Sequence, residues 1–316
     1  MTDQTMLAVR YHQFGGSDVL TLEEVPRPTP QAGELLVKVI SAGVLPADWK
    51  IRKGLFPLPV SFPSIPGTSF AGVIEAMGEG ATGYRVGQEV FGRSVRGTYA
   101  EYAVAPIEAV ALKPMSMSFD EAATLSGGAT TAWRAITSAG VKAGDRVLIH
   151  GAAGGVGLFA VQFAKALGAY VFGTAGLENL DFIRSLGVDV AIDYKVKRFE
   201  EVAQDVDFVL DTIGGDTLNR SWSVIKRGGA LVSIVGQPPV AHGQLLSIRV
   251  LPSSLATSQD LNEIVKLIDE GRVKTAVQHV YGINEVRQAQ ERSESGHGRG
   301  RIVLRIADSD SQDKSL

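Results

Sequence analysis

Val147-Leu-Ile-His-Gly-Ala-Ala-Gly-Gly-Val-Gly-Leu-Phe-Ala-Val-Gln-Phe-Ala-Lys165 is the stretch that decides the fold. An apolar strand-like run meets glycines at 151, 154, 155 and 157, and residues suited to a helix follow. The spacing is Gly151-x-x-Gly154-x-x-Gly157, not Gly-x-Gly-x-x-Gly in that frame, although Gly155-x-Gly157 is present. In a strand–loop–helix unit, such glycines permit a tight turn, let backbone approach a pyrophosphate and let helix pack on strand. The helix start adds unpaired N–H groups and a partial positive charge for an anion. The other reading is a tight turn that binds nothing. Context favours the phosphate loop, because a second strand-like run, 170–173, lies at the expected distance.

Outward from this loop, strand and helix alternate. Strands are expected at 146–150, 170–173, 190–192, 208–211 and 230–235, with helices at 156–167 and 179–186, each stopped by a glycine. That alternation implies right-handed crossovers and a doubly wound parallel sheet. Upstream, Ser118-Phe-Asp-Glu121 is a capping box opening a helix to Leu125, and a second helical run covers 130–139. The first 115 or so residues differ. Short β-branched or aromatic runs at 6–11, 34–41, 70–78, 89–91 and 99–104 are separated by Gly and Pro, which predicts a compact, barrel-like β domain. Helices at 259–270 and 284–295 and a strand at 301–306 form a mixed tail, and 236–243 reads as a connection or lid. The expected domains are 1–117 with 252–316, and 118–251.

The end of the second strand bears on the cofactor. NAD sites usually carry Asp or Glu there, on the ribose 2′-OH. Here the strand ends Val171-Phe-Gly-Thr-Ala175, with no acid. A 2′-phosphate would meet no repulsion, which favours NADPH over NADH. Glu178 points the other way if it faces the site. No Lys or Arg lies between Tyr170 and Asp181, so the phosphate's cation must come from elsewhere. Arg184, Lys195 and Arg301 are the candidates, each with the alternative of a solvated surface charge.

Composition narrows the class further. The 316 residues include 31 basic and 34 acidic, a formal charge of −3 that gives no pull towards nucleic acid or anionic membrane. Apolar residues at 45% suit a globular chain of two domains. With no cysteine, disulfides, thiolate nucleophiles and cysteine-based zinc sites are out, which fits a reducing, cytoplasmic compartment. No run reaches the ~18 apolar residues of a membrane span, and the N-terminus lacks the order of a signal peptide. The polar tail from Asp308 to Leu316 is expected to fray.

Taken together, the chain resembles the zinc-independent quinone oxidoreductases of the medium-chain dehydrogenase/reductase superfamily. The resemblance runs from Leu7 to Ile306. It is carried by Gly33-Glu-Leu-Leu-Val-Lys-Val, Asp48-Trp-Lys-Ile-Arg-Lys-Gly54, Ile65-Pro-Gly, Phe70-Ala-Gly-Val-Ile-Glu, Gly97-Thr-Tyr-Ala-Glu-Tyr, the glycine loop, Asp193-Tyr194, Asp211-Thr-Ile-Gly-Gly215 and Gly296-His-Gly-Arg-Gly-Arg-Ile-Val-Leu304. It implies a GroES-like β domain split in sequence, a Rossmann domain inserted in it, and a cofactor in the cleft between them.

By position, the resemblance places Ala153, Gly155 and Val156, among the loop residues Gly151, Gly154 and Gly157, on the pyrophosphate. Thr174 and Tyr194 would sit near the adenosine ribose. Ile213, Val235 and Gly236 would lie along the nicotinamide half. Thr131 resembles the family threonine near the carboxamide, its other reading being a helix hydroxyl bonded to its own backbone. The superfamily's zinc alcohol dehydrogenases carry Cys at the position of Leu45 and His at that of Thr68, so no zinc is expected; a catalytic zinc needs three N, S or O ligands. Leu45, Trp49, Phe56 and Phe62 would form an apolar pocket mouth, or ordinary core. Many members have Asn at 45, Tyr near 56 and Asp at 69, and those polar groups are missing here. Lys50 stands where the alcohol dehydrogenases carry a relay histidine; it is a candidate donor, or a surface lysine.

The implied activity is NADPH-dependent hydride transfer to a quinone or α,β-unsaturated carbonyl, a small apolar conjugated substrate. Such an acceptor spreads the arriving charge and needs less help than a simple carbonyl. Alternatives are an enoyl-thioester reductase, and a dinucleotide-binding sensor or structural protein with little turnover. A homodimer through Rossmann sheet edges is implied by analogy, with the apolar run 245–251 as a plausible edge strand.

Overall fold

Before the glycine loop come β1 (Thr5–Arg10), β2 (Thr21–Pro26), β3 (Glu34–Val44), β4 (Ser69–Met77), β5 (Glu89–Arg93), β6 (Tyr102–Pro106) and β7 (Val110–Leu112). They belong to a computed structural model that describes residues 4–56, 58–296 and 298–307; the tail expected to fray lies outside these. The long strand β3 is the centre of this lobe. Its Leu35, Val37, Val39 and Ala42 are fully buried. One edge pairs with β4, while β6 takes its first half and the tail strand its second.

Beyond the loop's own strand the parallel pattern holds. β8 (Arg146–Ile149), β9 (Tyr170–Ala175), β10 (Val190–Asp193), β11 (Val206–Asp211), β12 (Ile225–Ser233) and β13 (Arg249–Val250) form one parallel sheet ordered β10-β9-β8-β11-β12-β13. Its order reverses between β8 and β11, and ligands of such sheets bind outside the carboxyl ends at that switch point. Two further strands, β14 (Val277–Gly282) and β15 (Arg301–Arg305), return to the first lobe, where β15 pairs antiparallel with β3. The fold is therefore α/β, with a GroES-like sheet and a Rossmann-like parallel sheet.

The helices are α1 (Pro46–Arg52), α2 (Phe119–Ala122), α3 (Thr130–Ala139), α4 (Gly157–Ala166), α5 (Leu180–Ser185), α6 (Gly215–Ser221), α7 (Val240–Leu246), α8 (Ser258–Asp269) and α9 (Val286–Glu294). The capping box at Ser118 is formed: its hydroxyl accepts from Glu121 N–H and the Glu121 carboxylate accepts from Ser118 N–H. Leu261, Ile264 and Leu267 of α8 join Ala132, Ile136 and Phe163 in the core of the parallel-sheet side. Among the described residues, no helix is long and apolar enough to cross a membrane.

Some elements differ from expectation. The run 245–251 is an edge strand only in part. Val240–Leu246 is α7, starting after Pro238-Pro239 and ended by Ser247 in the left-handed region at φ 57, so only Arg249–Val250 pairs with β12. The stretch 236–243 is thus partly helical. The strand expected at 99–104 begins at Tyr102, because Tyr99 forms the crossing between β1 and the Pro66 turn: Val9 N–H donates to its carbonyl, and its own N–H donates to Pro66. Helices α2 and α3 are joined by a π-helical turn, Leu125–Ala129, that holds Gly127 and Gly128.

Helix α1 carries Asp48, Trp49 and Lys50, and one residue pins it down. Arg52 is fully buried, its Nε donating to Gln290 Oε1 of α9 at 2.7 Å and its Nη1 to the Gly15 carbonyl at 2.8 Å. Glu294 lies 3.5 Å from Nη2. Stripping one partner from a buried charged cluster costs about 3–5 kcal/mol. Arg52→Ala is expected to lose stability on that scale in urea unfolding; a loss below roughly 1 kcal/mol would mean that α1 is held by something else.

Candidate active site

The glycine loop is shaped by what surrounds each glycine. Gly151 sits at φ +65, and a Cβ there would lie 2.4 Å from Thr212 Oγ1. At Gly157 a Cβ would come within 2.2 Å of the Gly151 carbonyl oxygen, so helix α4 meets the loop at a distance that only glycine allows. Gly154 N–H donates to Gly151 O at 2.9 Å, closing the turn. Leu158 N–H donates to Gly154 O at 3.0 Å, and Phe159 and Ala160 N–H to Val156 O at 3.1 and 3.0 Å, so the loop winds directly into the start of α4.

Behind the loop runs a buried polar chain. Gly151 N–H donates to Thr174 Oγ1 (3.2 Å), and Thr174 Oγ1 is 3.2 Å from His150 Nδ1. His150 Nε2 is 3.0 Å from Ser221 Oγ, which donates to Thr217 O at 2.7 Å. The two ends assign the middle: Ser221 spends its proton on Thr217, so His150 donates from Nε2, and Nδ1 accepts from Thr174. The imidazole is neutral, and burial pushes its pKa down to about 4 against the opposing charge of Asp211. His150 is therefore structural, and it turns the hydroxyl proton of buried Thr174 inward. What Thr174 offers the crevice is a small, uncharged strand end.

On the other side of the switch point, Asp211 is fully buried. Its carboxylate accepts from the N–H groups of Ile213 (3.0 Å) and Gly214 (2.9 Å) and from the Ser233 hydroxyl (2.7 Å). This holds Ile213, 56% exposed, just beyond the end of β11; Val235 is 40% exposed, and no atom stands within 4 Å of a Cβ placed on Gly236.

The two lobes meet at the start of β15. Gly300 N–H donates to the Ala153 carbonyl at 2.9 Å, and Arg301 Nη1 to the Gly155 carbonyl at 3.3 Å. A Cβ on Gly155 would stand 2.5 Å from that Nη1. Arg301 is 4% exposed, yet its Nε and Nη2 have no hydrogen-bond partner. Burial lowers its pKa to about 10, with Asp48 and Tyr99 opposing. Asp48, equally buried, accepts from Leu45 N–H and from the Tyr99 hydroxyl, both at 2.8 Å, while its Oδ1 is unpartnered. Burial pushes Asp48 up to about 6, opposed by those two donors and by Arg301. Tyr99 goes well above the phenol range through burial and the Asp48 charge.

Leu45 is buried against the π-helical turn: a Cβ on Gly127 would fall 2.4 Å from Leu45 Cδ1. A Cβ on Gly128 would stand 2.6 Å from the Gly155 carbonyl. Gly127 and Gly128 thus let Leu45 and the glycine loop close on one turn from two sides. The Thr131 hydroxyl donates back to Gly127 O at 3.3 Å, and Lys50 Nζ lies 5.5 Å from the Trp49 ring centroid. Phe62 packs edge-on against Phe14 and Tyr11, and Phe56 and Phe62 are 39% and 40% exposed.

The three candidate cations stand apart. Arg184 is tied to Asp181 at 2.7 Å, Arg301 sits on the glycine loop, and Lys195 Nζ is 3.9 Å from Glu178 Oε2 at the ends of β9 and β10, beside exposed Tyr194. The glycine cradle and a guanidinium beside it with Nε and Nη2 unpartnered fit a dinucleotide pyrophosphate. The donor set does not fit a catalytic zinc: Leu45 fills one expected position, and among the described residues no three His, Cys, Asp or Glu side chains gather as a metal site. Sequence reading did not find the buried pairs Arg52–Gln290 and Tyr99–Asp48. Their one local signal is Asp48 three residues past Leu45, the spacing at which a carboxylate reaches back to cap a helix start.

Two family models match the chain: an alcohol dehydrogenase GroES-like domain over residues 31–115 and a zinc-binding dehydrogenase over residues 186–304. The quinone oxidoreductase of Pongo abelii is 32% identical, the match covering 95% of this chain and 97% of that protein. The chloroplastic NADPH-dependent alkenal/one oxidoreductase of Arabidopsis thaliana is also 32% identical, over 95% of this chain and 79% of that protein. The solved quinone oxidoreductase from Coxiella burnetii superposes with a TM-score of 0.90 at 31% identity, covering 96% of this chain and all of that one.

Buried Asp48 makes stability depend on pH with a defined sign. Its folded pKa, about 6, exceeds its ordinary value of 3.8, so its contribution is complete below about pH 4 and is lost as pH rises through 6. The loss amounts to roughly 3 kcal/mol. Asp48→Asn has no such loss. Urea unfolding of both proteins from about pH 4 to 7 is expected to show the variant gaining steadily on the parent, whereas a constant difference would mean that Asp48 is ionised throughout.

Proposed function

This chain belongs to the quinone oxidoreductase-like members of the medium-chain dehydrogenase/reductase superfamily, and from that premise we propose that it is an NADPH-dependent reductase of quinones or α,β-unsaturated carbonyls that works without a metal ion. The observation that carries the reading is the buried Arg301 guanidinium facing the glycine loop with two of its nitrogens unpartnered. When bound, the nicotinamide supplies the hydride.

The chain's own residues do the rest. Ala153, Gly154, Gly155 and Val156, with the start of α4, would take the pyrophosphate, and Arg301 would donate its remaining N–H groups to the same anion. Asp48 caps α1 and adds negative charge near that guanidinium, so the loop bearing Leu45 and Trp49 would stay in register with the glycine loop. Ile213, Val235, Gly236 and Thr131 would border the nicotinamide half.

Leu45, Trp49, Phe56 and Phe62 would give the acceptor an apolar mouth from which water is excluded. Where the superfamily's zinc enzymes carry metal ligands, this chain has Leu45 and Thr68. A quinone or enone suits such a site, because conjugation spreads the negative charge that a simple carbonyl would concentrate on one oxygen. Lys50 stands over Trp49 as a cation able to stabilise that spread charge. Two relatives, a quinone oxidoreductase and an NADPH-dependent alkenal/one oxidoreductase, support this substrate class and cofactor. A cytoplasmic homodimer completes the proposal.

The test is NADPH consumption, followed by absorbance, with a quinone, a short enone, an enoyl-thioester and an aldehyde, with and without a chelator. The expected result is turnover of the quinone and the enone, indifferent to chelation. Turnover of the aldehyde alone, or its abolition by the chelator, would contradict the metal-free reading. Tight NADPH binding with none of the four consumed would favour a sensor.

A further inference from the structure

The end of β9 is where an open parallel sheet of this kind reads the adenosine ribose, and here the strand itself reads nothing. The Thr174 hydroxyl proton is held by His150, and Ala175 is buried. The exposed charged groups at this corner come from the loops that follow. Tyr194 N–H donates to the Ala175 carbonyl at 3.3 Å, which brings the end of β10 against the end of β9. Lys195 N–H then donates to the buried Asp193 carboxylate at 3.0 Å, turning the chain so that the Lys195 ammonium comes back over the corner. There it stands 3.9 Å from Glu178 Oε2, with the two side chains 56% and 66% exposed. Glu178 folds over Gly176: a Cβ on that glycine would lie 2.6 Å from Glu178 Oε1.

One corner therefore holds both an acid of the kind that accepts from a ribose 2′-OH and a cation of the kind that takes a 2′-phosphate. They are joined by an ion pair loose and exposed enough to contribute almost nothing to stability, so either partner can be given up to a ligand. Of the other two candidate cations, Arg184 pairs at 2.7 Å with Asp181 of its own helix, and Arg301 lies at the glycine loop rather than at this corner.

We propose that the Glu178–Lys195 pair sets the coenzyme preference: Lys195 takes the 2′-phosphate of NADPH by leaving Glu178, and Glu178 is a built-in competitor that also serves the 2′-OH of NADH. The proposal rests on the dinucleotide reading above and adds to it which residues discriminate. Because the phosphate must displace a carboxylate from the same ammonium, removing either partner moves the preference in opposite directions.

The experiment uses the intact protein and two ligands that undergo no chemistry, ADP-ribose and 2′-phospho-ADP-ribose, titrated by calorimetry into the parent, Lys195→Met and Glu178→Gln. Both substitutions are at exposed positions, and circular dichroism checks that the fold is kept. Lys195→Met is expected to weaken the phosphorylated ligand about tenfold more than the plain one, the scale of one charge-assisted contact. Glu178→Gln is expected to shift the ratio the other way by about threefold, the scale of an exposed charge pair. In the parent, added salt should weaken the phosphorylated ligand more than the plain one. If both ligands bind and their affinity ratio is the same in all three proteins, the pair has no discriminating role and the dinucleotide reading still stands. If neither ligand binds the parent, the dinucleotide reading fails and this proposal with it.

Discussion

A guanidinium buried between two lobes needs an anion, and the arrangement around Arg301 follows from that need. Taking such a charge out of water costs on the order of several kcal/mol unless it is paired and hydrogen-bonded. In this protein the pairing is incomplete: one nitrogen donates to the Gly155 carbonyl, Asp48 supplies charge nearby, and Nε and Nη2 have no partner. A dinucleotide pyrophosphate at the glycine loop would complete the set. The same residue links the lobes, since it lies on β15 of the GroES-like sheet and reaches the first loop of the parallel sheet.

Asp48 extends that link to helix α1, the proposed substrate side. Its carboxylate holds Leu45 N–H at the start of α1 and the Tyr99 hydroxyl, and it adds charge beside Arg301. Arg52, four residues on, anchors the far end of α1 to α9 through Gln290. The helix that presents Trp49 and Lys50 is thus fixed at both ends by buried polar groups. On the parallel-sheet side, the His150 chain and the Asp211 turn do the corresponding work, leaving the ends of β9 and β11 small and preorganised. Positioning by rigid neighbours is what a site with little acid–base machinery of its own requires.

Much of the fold was legible because its signals are local. Gly151, Gly154 and Gly157 announce the strand–loop–helix unit, glycines end the helices, and Ser118 with Glu121 marks a helix start, all within a few residues. The run 245–251 misled because apolar residues there belong to a short helix with Leu245 turned outward, then to two residues of strand. The π-helical turn at Gly127-Gly128 was invisible for a different reason: its purpose is to admit Leu45 on one side and the glycine loop on the other. Of the site, the glycine loop could be read directly. Tyr99, which donates to Asp48, and Gly155, which accepts from Arg301, lie 51 and 146 residues away in sequence, so no spacing rule reaches them. The inward turn of Thr174 depends on His150, 24 residues earlier, and on Ser221 beyond it.

The most direct test of the central claim is a calorimetric titration of NADPH into the parent protein and into Arg301→Met, with urea unfolding to show that both are folded. The account predicts that the parent binds and that the variant binds at least about tenfold more weakly, the loss expected when charge-assisted hydrogen bonds to a phosphate are removed. Equal affinity in the two folded proteins, or no binding by the parent, would contradict it.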